Sequence, residues 1–155
     1  MANTQAVSTT FKKELLTGKH AFGLPPVRAT SVKDTFRAAL YLASATLNAA
    51  TSTYSTTGEV TGAGYTAGGI TVTNAIEPAN GTVTAGGTAG YWTPSTQLSW
   101  SGITASAFDA VEIYNSTQGN SVVGIWTFGS QSVTAGTFTL NMPTNDADNA
   151  LLRIV

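Results

Sequence analysis

The chain is predicted to be mainly β: a single-domain β-sandwich or jelly-roll-like barrel of about seven or eight strands, preceded by an N-terminal arm carrying a short helix. Three observations predict it. Charged residues make up only 10 % of the 155 residues, against roughly 25 % in an ordinary soluble domain, so Thr, Ser, Asn and Gly must keep the surface wet. Thr suits that task on strands, because β-branched side chains fit the pleat. Short apolar and Thr-rich runs recur between Gly, Asn, Ser and Pro punctuation. No long helical periodicity appears after residue 40.

The first 33 residues read as an arm and residues 34–155 as the sandwich body. Ser8-Thr9-Thr10 precedes Phe11-Lys12-Lys13-Glu14-Leu15-Leu16, and Gly18 follows, the start and stop chemistry of a short helix. Pro25 and Pro26, next to Leu24 and Val27, fix an extended path with no ladder donors, suited to crossing a surface.

From Asp34 the period changes to two. Phe36, Ala38, Leu40 and Leu42 alternate with Arg37, Ala39 and Tyr41, a half-buried strand, with helix left as the alternative because Ala and Leu are helix formers. A small-residue loop runs to Thr57. The glycines of Gly62-Ala63-Gly64-Tyr65-Thr66-Ala67-Gly68-Gly69 then permit turns and close backbone approach before a strand at Ile70 to Thr73. Further strands are expected at 82–84, 97–100, 110–115, 122–128, 138–142 and 151–155. The turns between them are marked by Asn80-Gly81, Gly86-Gly87, Gln118-Gly119-Asn120 and Ala135-Gly136. No fixed-period repeat of a solenoid or propeller is present.

Charge is unevenly placed. Lys12, Lys13, Lys19, Arg28, Lys33 and Arg37 face only Glu14 and Asp34 in the first 37 residues, a net +4, while the remainder carries Arg153 against six acids, a net −5. Four net charges give weak, salt-sensitive attraction to nucleic acid; docking on an acidic protein neighbour is the better use. With no Cys, neither disulfides nor thiolate metal sites are available. The opening segment lacks the apolar stretch of a signal peptide, and no run reaches membrane-spanning length, so a protein made and kept in the cytoplasm until assembly is expected, with neither nucleic acid nor membrane as its partner.

Catalytic chemistry is poorly supplied, and the chain is expected not to be an enzyme. Its one histidine, His20, is the only base for triad chemistry and has no acid beside it in sequence; a solvated or docking histidine is expected. Asp109 and Glu112 are the closest paired carboxylates for glycosidase work, but their odd spacing puts them on opposite strand faces, so a turn acid and an exposed strand acid are expected. Asn145-Asp146-Ala147-Asp148-Asn149 offers oxygen ligands but lacks the Gly and terminal Glu of a helical Ca²⁺ loop, and reads as the turn before the last strand. The Gly-rich 61–69 run has no Gly-Lys-Ser/Thr ending for a phosphate. Trp92, Trp100 and Trp126 are sugar-platform candidates, though core or interface placement is commoner. No cofactor or metal is expected.

Several segments resemble a family. Asp34-Thr35-Phe36-Arg37-Ala38-Ala39-Leu40-Tyr41, Glu59-Val60-Thr61-Gly62-Ala63-Gly64-Tyr65, Phe108 to Asn115, Val123 to Gly129 and Gly136 to Leu140 are similar to small virion structural proteins of tailed bacteriophages, among them capsid cement or decoration proteins. The resemblance spans roughly residues 11 to 142 and implies a non-catalytic protein on the capsid surface, bound to major capsid subunits and to itself as a dimer or trimer. A tail or neck component, or a carbohydrate-binding adhesion module, is the alternative. The residues expected to dock on the partner are Phe11, Lys12, Lys13, Leu15, Leu16, Lys19, Pro25, Pro26 and Arg28.

Overall fold

The computed structural model describes residues 2–23, 33–73 and 75–155. Its elements in chain order are β1 (Ala6–Val7), α1 (Thr9–Leu16), β2 (Phe36–Leu42), β3 (Ile70–Thr71), β4 (Ala79–Thr82), β5 (Thr88–Trp92), β6 (Gln97–Asn115), β7 (Ser121–Asn141) and β8 (Leu152–Ile154). Every pairing is antiparallel. One sheet runs β1-β7-β6-β2-β3 and the other β4-β5-β8, a sandwich-like arrangement in which neither sheet closes into a barrel.

The frame is the β6–β7 hairpin. Its turn forms where Asn115 Oδ1 accepts the N–H groups of Thr117 and Gln118 and where Gly119 and Asn120 take positive φ, as a tight reversal requires. Beyond the turn both strands run on through sequence that reads as punctuation. The expected runs 97–100 and 110–115 are one strand, as are 122–128 and 138–142. Gly102, Ala107, Gly129 and Ala135 have positive φ, and the β6–β7 register shifts repeatedly between Trp100 and Ala110. These positions are bulges that bend a long ribbon, where chain reversals were expected.

Sequence order also misleads in the second sheet. Asn80 and Gly81, expected as a turn, pair with Gly90 and Ala89 inside β4, while the other expected turn, Gly86-Gly87, is the reversal, where Val83 N–H reaches Gly87 O. β5 and the two-residue β1 have no counterpart among the expected strands.

β2 is buried on both faces, more than the half-buried strand expected. Phe36, Ala38 and Leu40 join Phe108, Val111, Ile113 and Val123 in the core between the sheets, with Trp92 from β5. Ala39 and Tyr41 face the other way, into a second cluster with Ala110, Tyr114, Val122 and Ile125. That second face is dry because the 43–69 segment lies across it, contributing Ala45, Leu47 and Tyr54. The expected close approach of the Gly-rich run is realised: Thr104 N–H bonds Ala63 O, and a Cβ on Gly62 or Gly64 would run into the carbonyls of Thr104 or Gly102.

The expected extended arm is, over residues 2–23, part of the body. β1 pairs with β7 at Gly124 and Ile125, and Phe11 is 2 % exposed. Phe22 stacks on Phe36 at 4.8 Å and meets Trp92 edge-on at 4.6 Å. The apolar face of α1 found core to cover, which outweighs the entropy of leaving the segment free. Ser8 occupies the helix N-cap, but its hydroxyl makes no capping bond and is buried without a partner. Gly18 ends the helix with φ +65°, as its position in the sequence suggests.

Gly69 is the tightest point, with φ +65° and no room for a Cβ against the carbonyl of Ala38. Gly69→Val is expected to lower stability by more than about 3 kcal/mol. Gly86→Ala, at φ +97° in open space, should cost only about 1 kcal/mol for the left-handed backbone. Urea unfolding of the two variants checks the contrast.

Candidate docking groove

Burial leaves few large apolar side chains exposed: among the described residues they are Leu16 at 91 %, Ile154 at 67 % and Val155 at 78 %. All three line a single groove of about 630 Å³. One wall is the outer face of α1, with Lys12, Leu15 and Leu16; the other is β8 and the residue after it; Phe11 and Trp92 lie at the floor. Lys12 and Arg153 stand on the rim, the one exposed, the other anchored by a 2.7 Å bond to Asp148 O.

Of the residues expected to dock, Phe11, Lys12, Leu15 and Leu16 are brought together here. Lys13 is exposed on the same helix but does not line the groove. Lys19 turns inward, 2.5 Å from both Glu14 Oε1 and Ser121 Oγ. Pro25, Pro26 and Arg28 lie outside the described residues. The wall supplied by Leu152, Ile154 and Val155 was missed: the last five residues read as an ordinary strand, and only their apolar density hinted at a face left uncovered.

His20 corrects another expectation, since its side chain is fully buried. Asn115 Nδ2 lies 2.9 Å from Nδ1, and Nε2 lies 2.8 Å from Glu14 Oε2. The amide is oriented by the backbone donors on its Oδ1 and by its 2.7 Å bond to Asp34. Nδ1 is therefore an acceptor and Nε2 carries the proton. Burial lowers the imidazole's pKa, against the opposing pull of Glu14. Burial would raise Glu14, but the bonds from Lys19 and His20 outweigh it and hold the carboxyl below its usual range. The cluster ties α1 to the β6–β7 turn: Glu14 is bonded by Lys19, His20 and Ser121, and Asp34 by Ala21 N–H, Asn115 and Gln118.

A second polar cluster lies under the 43–69 segment. Glu59 accepts bonds from Tyr54 Oη at 2.6 Å, Tyr65 Oη at 2.8 Å and Gly68 N–H at 2.8 Å. Arg37 donates to the carbonyls of Gly68 and Gly69, and Tyr114 Oη also reaches Gly68 O. Burial pushes the phenols of Tyr41, Tyr54, Tyr65 and Tyr114 upward.

Glu112, expected as an exposed strand acid, is fully buried in this cluster. Its Oε1 is 3.5 Å from Tyr41 Oη, and its Oε2 has no partner. Tyr41 donates to Ser55 O, 2.5 Å away, and is the donor toward Glu112 only at the 3.5 Å separation. Burial above all, opposed by the Tyr41 hydroxyl and reinforced by the Glu59 carboxylate, pushes Glu112 up to about 8. Asp109 goes elsewhere, accepting a 2.7 Å bond from Asn3. The two acids are not arranged around a cleft.

The 145–149 run is the expected turn. Asp146 accepts from Thr144, from the Asn149 side chain and from the N–H groups of Asp148 and Asn149, bonds that lower its carboxyl to about 2. Among the described residues no three His, Asp or Glu side chains gather to hold a metal. Trp92 and Trp100 are both core residues at 3 % exposure, which removes them as sugar platforms.

The folded state keeps a proton on Glu112 that the unfolded chain, with a carboxyl near 4.5, releases. Stability from this group is therefore greatest below pH 4.5 and falls as pH rises to 8, by at most about 1.4 kcal/mol per pH unit. Glu112→Gln should flatten that part of the profile and leave the variant the more stable form above pH 8, read by urea unfolding across pH 5 to 9.

Compared with protein-family models, with curated proteins and with solved structures, the chain matches none.

Proposed function

We propose that the protein is a structural subunit of a tailed-phage particle, a capsid cement or decoration protein that binds assembled major capsid subunits through the groove between α1 and β8. The observation that supports docking is the convergence of Leu16, Ile154 and Val155 on one concave surface; the virion assignment rests on the resemblance over residues 11 to 142. Scattered single apolar residues are normal on a protein surface, whereas a contiguous patch with a polar rim marks an interaction site.

The fitting occupant is an apolar segment of a neighbouring subunit with acidic residues at its flanks. Its side chains complete the floor over Phe11 and Trp92, and its acids meet Lys12 and Arg153. Covering an exposed Leu, Ile or Val contributes about 1.5 to 3 kcal/mol each, enough for a useful contact repeated over a shell. Binding only the assembled shell stabilises that state by mass action. The polar clusters support a non-catalytic role, because Glu14, His20, Asp34 and Glu59 are held in bonds to neighbouring groups and Glu112 is sealed from solvent.

Leu16→Asp and Ile154→Asp change exposed positions and should leave the fold intact, checked by circular dichroism. Each is expected to weaken binding to capsids lacking the wild-type protein by at least about thirtyfold, near 2 kcal/mol, in a co-sedimentation titration. Undiminished binding of both variants would reject the groove. Cryo-EM localisation in intact particles tests the assignment itself: hundreds of copies on the head fit it, and a handful in the tail or neck do not.

A further inference from the structure

A different surface bears on how copies of the chain meet. Among the described residues, the only strand on the outer side of β7 is β1, at Gly124 and Ile125. From Gly129 to Asn141 no described strand pairs with that side. The edge strands β3, β4 and β8 are only two, four and three residues long. Shortness is one of the ways proteins blunt sheet edges, and charged side chains are another. The open side of β7 has neither, since no Asp, Glu, Lys or Arg occurs between Glu112 and Asp146.

Its straight part is Gly136–Asn141. Asn141, Leu140, Thr139 and Phe138 pair in unbroken register with Gln97, Leu98, Ser99 and Trp100. Met142 N–H bonds Thr96 O, so by antiparallel alternation Leu140 and Phe138 also bond toward β6. The backbone groups of Thr137, Thr139 and Asn141 then point outward, unmatched. Cover is incomplete on the core side too: Val133, Phe138, Leu140 and Met142 pack on the core but stay only partly buried.

We infer that this edge is a homotypic interface, with β7 of a second copy pairing antiparallel about a two-fold axis near Thr139. A second copy fits because a two-fold at Thr139 sets that threonine against its own copy, Phe138 against Leu140 and Thr137 against Asn141, a self-complementary set with no charges to repel one another. It also extends the apolar row from both sides at once. Thr is suited to such pairing, and Thr139 already meets Ser99 across the ribbon, hydroxyl to hydroxyl at 3.3 Å. Pairing about Thr139 aligns residues 137–141 with their copies, roughly 17 Å of strand and ~10 Å deep, about a fifth of the ~800 Å² per partner of a standard interface. The dimer is therefore weak and reversible when free, and gains strength where docking already holds two copies side by side.

None of the groove-lining residues lies between 129 and 141, so failure of one surface is separable from failure of the other. The test is analytical ultracentrifugation of the full chain from micromolar to millimolar concentration. The wild type is expected to show a concentration-dependent dimer, Thr139→Lys to stay monomeric while keeping its circular dichroism, and Leu16→Asp to dimerise like the wild type. Because the chain has no Cys, Thr139→Cys adds a second reading: it should form disulfide-linked dimers under mild oxidation far faster than Thr66→Cys in the exposed Gly-rich loop. A wild type monomeric throughout, a dimer indifferent to Thr139→Lys, a dimer lost in Leu16→Asp, or equal cross-linking of the two Cys variants would each overturn the interface.

Discussion

Everything in the molecule is hung on the β6–β7 ribbon. β2 pairs along its turn-proximal half, β1 joins β7 at Gly124 and Ile125, and the Gly-rich segment bonds β6 at Thr104. Leu98, Trp100 and Ile103 on its distal half extend the core. A ribbon this long is unusual and has two faces to dry, yet the second sheet can cover only one. Much of the remaining architecture answers the need to cover the other.

The cover is the 43–69 segment, which has little apolar content and therefore holds the sheet chiefly through polar bonds. Arg37 and Tyr114 reach up from the sheet to its carbonyls, while Glu59 gathers two tyrosines and a backbone N–H beneath it. Buried polar networks are stable only when satisfied, and Glu112 is the weak member, since its second oxygen finds no donor. Protonation is what makes its burial tolerable. In a chain so poor in charge, placing Glu14, Asp34, Glu59 and Glu112 inside also strips the surface further, leaving the outer ribbon neutral.

The fold class was legible because composition and punctuation are local signals. β2, α1, the 118–120 turn and the strand after the glycines could all be read from spacing. Bulges could not, because Gly102 and Gly129 look in sequence like any turn glycine; the long-range pairing of β6 with β7 decides that the chain continues. His20 and Glu112 were misread for a related reason. Glu14 is only six residues from His20, but the Asn115 that completes its site is 95 residues away, and Tyr41 is 71 residues from Glu112, so local pattern did not announce that either would be buried. Half of the docking groove was visible as the apolar face of α1. Its other wall was not, because nothing in residues 151–155 says that they end beside residue 16.

The groove and the open edge differ in what they ask of a partner. The groove is concave, apolar and rimmed by cations, so it discriminates by shape and charge and suits an unlike subunit. The edge offers backbone and hydroxyls with no charge to read, so it selects by register alone and suits its own image. A protein fastened to a shell by one surface and to a single neighbour by the other would clamp two docking sites together, since each docked copy raises the effective concentration of its partner's edge. Low charge is what makes such crowding tolerable: close-set copies carrying an ordinary complement of surface charge would repel one another more strongly.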